Sequence, residues 1–112
     1  MGASGSENIT LDSIARRAYI TNCSDFTDED NPILKFYNPV TTGVDSVSVA
    51  ISLDKSKADI PYRAVELTDT SYQFNLSENE RNILRKATTG SNSRTVYFYV
   101  RTIINGKSIY DS

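Results

Sequence analysis

Histidine and tryptophan are absent from this 112-residue chain, and cysteine occurs once, as Cys23. Without histidine, the serine–histidine and cysteine–histidine nucleophile systems and the commonest metal ligand are missing. One cysteine excludes an internal disulfide and the usual structural zinc sites. A glycosidase needs only two carboxylates, but no spacing identifies such a pair. The sequence predicts that the protein is not an enzyme and holds no cofactor, and Cys23 is interpreted as a small half-buried strand residue rather than a reactive thiol.

Glycine-rich stretches, long apolar runs and an excess of positive charge are also missing. The five glycines are scattered, so no glycine-rich phosphate loop is present. No apolar run approaches the roughly 20 residues of a membrane span. Twelve basic and fourteen acidic residues are mixed along the chain and give a net charge of −2. Without a basic stripe we expect no nucleic acid as a partner, and without an apolar run of membrane length we expect no membrane.

The two ends of the chain differ from its middle. Residues 1–17 are predicted to be a leader and an interdomain linker, and the start has neither the basic nor the apolar segment of a signal peptide. The segment LDSIARRA, residues 11–18, fits a short helix or an extended joint. Residues 18–112 are predicted to form one domain, and because little room for a closing strand follows the last hairpin signal, we expect a piece of a longer protein.

From Ala18 onward the pattern is mostly that of β-strands. The clearest strand is 44–53, in which Val47, Val49 and Ile51 alternate with small polar residues, so one face is predicted to be buried and the other wet. Pro61 marks the following strand as an edge or a strand start. The strands are predicted at Tyr19–Cys23, Ile33–Asn38, 44–53, 60–67, 72–76, 94–104 and from Lys107 onward.

Two local sequence signals predict a helix and a hairpin turn between these strands. Ser77 with Glu80 three residues later forms a capping box, which predicts a helix over about residues 78–87 with Ile83, Leu84 and Ala87 on its apolar face and Gly90 after its end. The pair Asn105-Gly106 predicts a type I′ hairpin.

Seven short strands with turns at roughly ten-residue spacing predict an all-β fold, an immunoglobulin-like antiparallel β-sandwich with one short helix between two late strands. Seven residues are predicted to form its core: Val47, Val49, Ile51, Phe74, Val96, Phe98 and Val100.

The acidic stretch SDFTDEDNP, residues 24–32, has two interpretations. An EF-hand loop needs glycine at its sixth position and glutamate at its twelfth, and neither Asp25 nor Asp28 starts such a register. A calcium site of another kind stays open. The other interpretation, which we prefer, is a surface connection between the first two strands without a metal, in which the acids splay into solvent and Asp25 or Asp28 bonds the amides of the turn.

Tyr97, Tyr99 and Arg101 are the candidate ligand-facing residues. They lie on the strand face opposite Val96, Phe98 and Val100. Exposed tyrosine rings can stack against sugars, but outward tyrosines also serve ordinary cross-strand packing. Both interpretations stay open.

Four segments resemble the immunoglobulin-like domain of siphophage minor structural proteins, which are tail-associated proteins of phages and prophages of Gram-positive bacteria. The resemblance covers residues 11–106, and its most specific parts are the acidic loop with the strand after it and the helix with the strand after it. The segments are LDSIARRA, DFTDEDNPILKFYNP, SYQFNLSENERNILRKA and RTVYFYVRTIING.

The resemblance implies a structural or interaction module of a virion protein, a spacer or an adhesive decoration, whose partners are the other domains of the same tail protein. It carries over no catalytic residue. The alternative function is a carbohydrate-binding module that attaches the tail to the host cell wall.

Overall fold

The computed structural model describes residues 15–91 and 93–112. Within these ranges the chain forms seven strands and one helix. In chain order they are β1 (Tyr19–Cys23), β2 (Ile33–Tyr37), β3 (Ser46–Ser52), β4 (Ile60–Val65), β5 (Ser71–Gln73), α1 (Glu78–Ala87), β6 (Tyr97–Ile104) and β7 (Lys107–Asp111). No helix in the described ranges has the length and hydropathy that crossing a membrane requires.

The strands form two antiparallel sheets, with strand orders β1-β2-β5 and β4-β3-β6-β7. The predicted β-sandwich with one short helix between two late strands is therefore confirmed. Strand β4 pairs with β3, whereas the constant-type immunoglobulin arrangement places its fourth strand in the other sheet. As Pro61 predicted, β4 is an edge strand.

The core lies between the two sheets and matches the prediction closely. Six of the seven predicted residues are buried, and Val96 is partly buried and packs against them. The ring of Phe98 lies 5.9 Å from that of Phe74 and 6.0 Å from that of Phe26. Leu34 and Phe36 of β2 complete the core from the three-stranded sheet.

The outer face of β3 is buried as well, so the predicted wet face is wrong. Ser48 is 6% exposed, and Ala50 and Ser52 are 0% exposed. These side chains are small, and the neighbouring strands β4 and β6 carry long ones, Tyr62 and Arg101, on the same face. Alternation along one strand cannot reveal this cover, because the covering atoms come from other strands.

Helix α1 begins as the sequence predicts. The Ser77 hydroxyl accepts the Glu80 amide, and the Glu80 carboxylate accepts the Ser77 amide. The predicted apolar face is only partly correct, because Leu84 is 7% exposed but Ile83 is 38% exposed. Gly90, after the helix, has a φ of 82°, which suits glycine.

Glu80 also joins the helix to β4. The Nη2 atom of Arg63 donates to both carboxylate oxygens of Glu80 at 2.7 Å, and the Arg63 guanidinium lies 5.6 Å from the ring centre of Phe74. Burial opposes ionisation of Glu80, but the Ser77 amide and the Arg63 guanidinium outweigh it and hold the pKa of Glu80 below its ordinary value. The carboxylate thus serves the cap and the tertiary contact together.

The last hairpin is as predicted. Asn105 and Gly106 have φ values of 52° and 77°, as a type I′ turn requires. The sequence indicated little room for a closing strand after this turn, but β7 pairs with β6 over five residues.

The start of β1 and the residues just before it contact the opposite sheet. The Ala18 amide donates to Thr102 Oγ1 and the Ile20 amide donates to Asp111 Oδ2, both at 2.8 Å, and Arg17 pairs with Asp111 at 3.6 Å. Residues 15 and 16 are helical. Residues 1–14 of the predicted leader, which include the first half of the segment 11–18, lie outside the described residues, and the boundary at residue 18 stays a prediction.

We predict that Glu80→Gln lowers the free energy of unfolding at neutral pH by about 1–3 kcal/mol, because Arg63 loses its anionic partner. A carboxyl group whose folded-state pKa is depressed stabilises the fold above its unfolded-state pKa, and this contribution disappears as pH falls through the folded-state value. The difference between wild type and variant should therefore be full at neutral pH and shrink in acid. Urea unfolding over a pH series measures it.

Ser77→Ala is the matched control, because it removes the capping hydroxyl and leaves the Arg63–Glu80 pair in place. We expect Ser77→Ala to lower the free energy of unfolding by about 1 kcal/mol, and this loss should shrink less in acid than the loss caused by Glu80→Gln. A Glu80→Gln effect that is constant down to strong acid would contradict the assignment of the stabilisation to the ionised carboxylate.

Candidate functional site

Tyr97, Tyr99 and Arg101 lie together on the outer face of the four-stranded sheet. The register places them opposite Ser52, Ala50 and Ser48 of β3. Tyr62 of β4 and Tyr110 of β7 lie on the same face. We call Tyr62, Tyr97, Tyr99, Arg101 and Tyr110 the tyrosine face.

Arg101 is held within this face by two neighbours. Its Nε donates to Ser48 Oγ at 3.1 Å, and its guanidinium carbon lies 4.0 Å from the ring centre of Tyr62, a cation–π contact. Burial raises the pKa of the Tyr62 phenol, and the neighbouring Tyr110 adds to the shift. Arg101 is thus a packing residue, and a ligand that took its guanidinium would have to break these contacts.

The loop between β3 and β4 covers the other end of the face. The ammonium of Lys55 lies 4.8 Å from the ring centre of Tyr97, and the Tyr99 hydroxyl donates to the Lys55 carbonyl at 3.2 Å. One ring surface of Tyr97 is therefore taken by the protein itself. These contacts account for packing by the tyrosines. Tyr97 and Tyr99 are half-buried, and Tyr110 is 48% exposed.

Tyr62 and Tyr110 were missed by sequence reasoning. For Tyr110 a signal existed, since counting outward from a two-residue turn at Asn105-Gly106 places it opposite Arg101. For Tyr62 there was none, because the pairing between β3 and β4 shifts at a bulge between Val49 and Ile51.

The acidic stretch is the connection between β1 and β2, as predicted, but its acids do not simply splay into solvent. Arg85 of α1 pairs with Asp28 at 3.0 Å, with Glu29 at 3.4 Å and with Glu78 of its own helix at 2.7 Å. Glu78 and Asp28 raise the pKa of Arg85. The helix supplies a positive charge where the sequence alone shows only repulsion between acids.

Arg81, one helical turn before Arg85, holds the backbone of the same loop. Its Nη1 donates to the carbonyls of Asp28 and Asp30 at 2.8 Å, and its Nη2 donates to Asn31 Oδ1 at 2.7 Å. Within the turn Asp30 accepts the Thr27 amide at 2.8 Å, so the turn-forming acid is Asp30 and not Asp25 or Asp28. We call this pair of arginines and their acceptors the arginine clamp.

A cleft of about 760 Å³ lies beside the arginine clamp, between the acidic loop, the end of α1 and the residues that lead into β6. Leu84, Val96 and Phe98 line its apolar side. Cys23 also lines it and is exposed, because the cleft opens at the end of β1, so the prediction of a half-buried residue is wrong. Among the described residues no three acidic or cysteine side chains gather as a metal centre would require.

Comparison with protein-family models, with curated proteins and with solved structures found no match. The resemblance to tail-associated proteins therefore rests on the four sequence segments alone.

We predict that calcium does not stabilise the protein through the acidic loop, because Arg85 already balances Asp28 and Glu29. Binding to the native state alone would raise the unfolding midpoint with ion concentration. Thermal unfolding in millimolar calcium and in chelator should give the same midpoint. A calcium-dependent rise that disappears in Asp28→Asn, but persists in Asp69→Asn at a distant turn, would identify the loop as a metal site.

Proposed function

We propose that this chain is a non-enzymatic structural and interaction module of a phage tail protein, carried by a virion or encoded by a prophage in a Gram-positive bacterium. It acts as a spacer or an adhesive decoration, and its partners are the other domains of the same tail protein. The proposal goes beyond the fold, because β-sandwiches serve many functions.

The proposal is supported most by the contact between two of the segments that carry the resemblance. The two most specific segments are the acidic loop and the helix, and Arg81 and Arg85 bind one to the other. The two segments that carry most of the resemblance are therefore in direct contact in the fold. The chain also lacks histidine, which agrees with a role without catalysis.

The expected result is that antibodies raised against this domain label the tails of phage particles released by the bacterium that encodes it. Electron microscopy with gold-labelled antibody measures this, and antibody absorbed with the purified domain is the control. Label on the cell surface without label on particles would contradict a place in the virion. Release of soluble glycan or peptide from host cell walls by the purified domain would contradict the non-enzymatic role.

A second candidate function is carbohydrate binding, through which the tail would attach to the host cell wall. It is favoured by the tyrosine face, which gathers four tyrosines and Arg101 on one side of one sheet. Partly exposed tyrosine rings suit the alternating apolar and polar surface of a sugar, because the ring is apolar and the hydroxyl can form hydrogen bonds.

For this second function we expect host cell walls to capture the purified domain, and Tyr97→Ala with Tyr99→Ala to lose most of the capture. The matched control is Tyr19→Ala with Tyr37→Ala. Those tyrosines are 41% and 48% exposed on the other sheet and touch each other edge to face. Capture that survives the first pair, or is lost equally in both, would show that the tyrosine face is not the binding site. Circular dichroism verifies that each variant is folded.

A further inference from the structure

We propose that an anionic polysaccharide binds at the corner formed by Lys55, Lys57 and Arg94 beside Tyr97 and Tyr99. We call these five residues the cationic corner. Phosphate or carboxylate groups of the chain contact the three cations while the sugar lies along the tyrosine edges. The inference rests on the second proposed function and adds the charge of the ligand and its place on the face.

The acids of this region are turned toward the backbone. Asp54 Oδ1 accepts the Ser56 amide at 2.9 Å and the Ser56 hydroxyl at 2.6 Å. Asp59 Oδ2 accepts the Leu53 amide at 2.8 Å. Both carboxylates thus shape the loop between β3 and β4, and neither forms an ion pair within the described part of the chain.

Among the described residues, no carboxylate lies within ion-pair distance of Lys55, Lys57 or Arg94. Hydrogen bonds from Ser56 hold the pKa of Asp54 below its ordinary value, and the charges of Lys57 and Arg94 add to this shift. In contrast, Arg17, Arg63 and Arg85 pair with acids elsewhere in the domain. Arg94 is held against the loop by one contact, from its Nη2 to the Leu53 carbonyl at 3.4 Å. The three cations of the corner outnumber the two carboxylates of the loop, Asp54 and Asp59, so the corner keeps an excess of positive charge in a protein whose net charge is −2, and an anion complements this excess.

The position of Lys55 is set by the loop before any ligand arrives. Its φ is 69°, in the left-handed region that lysine seldom occupies. Its amide donates to Ser52 Oγ at 2.9 Å, and its carbonyl accepts the Tyr99 hydroxyl. The ammonium over Tyr97 keeps N–H donors on its outer side.

Affinity electrophoresis at low salt tests the proposal with three polysaccharides. The probes are a phosphomannan, polygalacturonate and neutral mannan, so that phosphate, carboxylate and no charge are compared. We expect retardation by one or both anionic polymers and binding of neutral mannan that is about tenfold weaker. Added salt should weaken the anionic binding, because screening acts on exposed charges.

The test variant is Lys55→Asn with Lys57→Gln, in which asparagine tolerates the left-handed backbone. We expect about tenfold weaker binding of the anionic polymers. The matched control, Lys35→Gln with Lys107→Gln, makes the same change in net charge at exposed lysines on β2 and at the far hairpin, and should bind as wild type does.

The outcomes separate this inference from the function on which it rests. Equal binding of neutral and charged polymers, with loss only in Tyr97→Ala with Tyr99→Ala, overturns the cationic corner and leaves carbohydrate binding in place. Binding of none of the three, together with no capture by cell walls, overturns both. Equal loss in the two lysine variants, or equally tight binding of a DNA oligonucleotide, also overturns the inference, since either shows only unspecific attraction of a polyanion.

Discussion

The burial of strand β3 on both faces is the constraint on which the rest of the domain depends. Its inner valines and Ile51 enter the core, and its outer side chains are small enough for neighbours to lie across them. Seven consecutive residue pairs align β3 with β6, and this register brings Arg101 to Ser48. The four-stranded sheet therefore has a second packed layer outside the core, and the tyrosine face is the surface of that layer.

Arginines connect the helix to the two sheets. Arg63 joins it to the edge of the four-stranded sheet through Glu80, and Arg81 and Arg85 join it to the loop of the three-stranded sheet. A planar guanidinium with several donors suits this role, because one side chain can satisfy carbonyl and carboxylate acceptors together. Since a single cysteine rules out an internal disulfide, these contacts supply much of the connection at this end of the sandwich.

The intramolecular contacts of the arginines also limit which cations could contact a ligand. Most described arginines are engaged in packing or in clamping the loop, including Arg101, which sequence reasoning offered as a ligand-facing residue. Lys55, Lys57 and Arg94, which form no ion pair within the described residues, lie in or near the loop between β3 and β4. Within the tyrosine face, Tyr62, Tyr97 and Tyr99 are half-buried by contacts with Arg101 and Lys55, and Tyr110 is exposed.

The sequence by itself determined the features whose partners are close along the chain. The capping box at Ser77, the turn at Asn105-Gly106 and the inward side of β3 follow from spacings of a few residues, because local geometry leaves few alternatives. Only the tertiary structure decided the burial of Ser48 and the role of Arg81, whose carbonyl acceptor at Asp28 is 53 residues away. A local pattern shows that a residue is small or charged, but the atom that covers or neutralises it comes from another strand or helix, and its identity depends on how the two sheets and the helix pack.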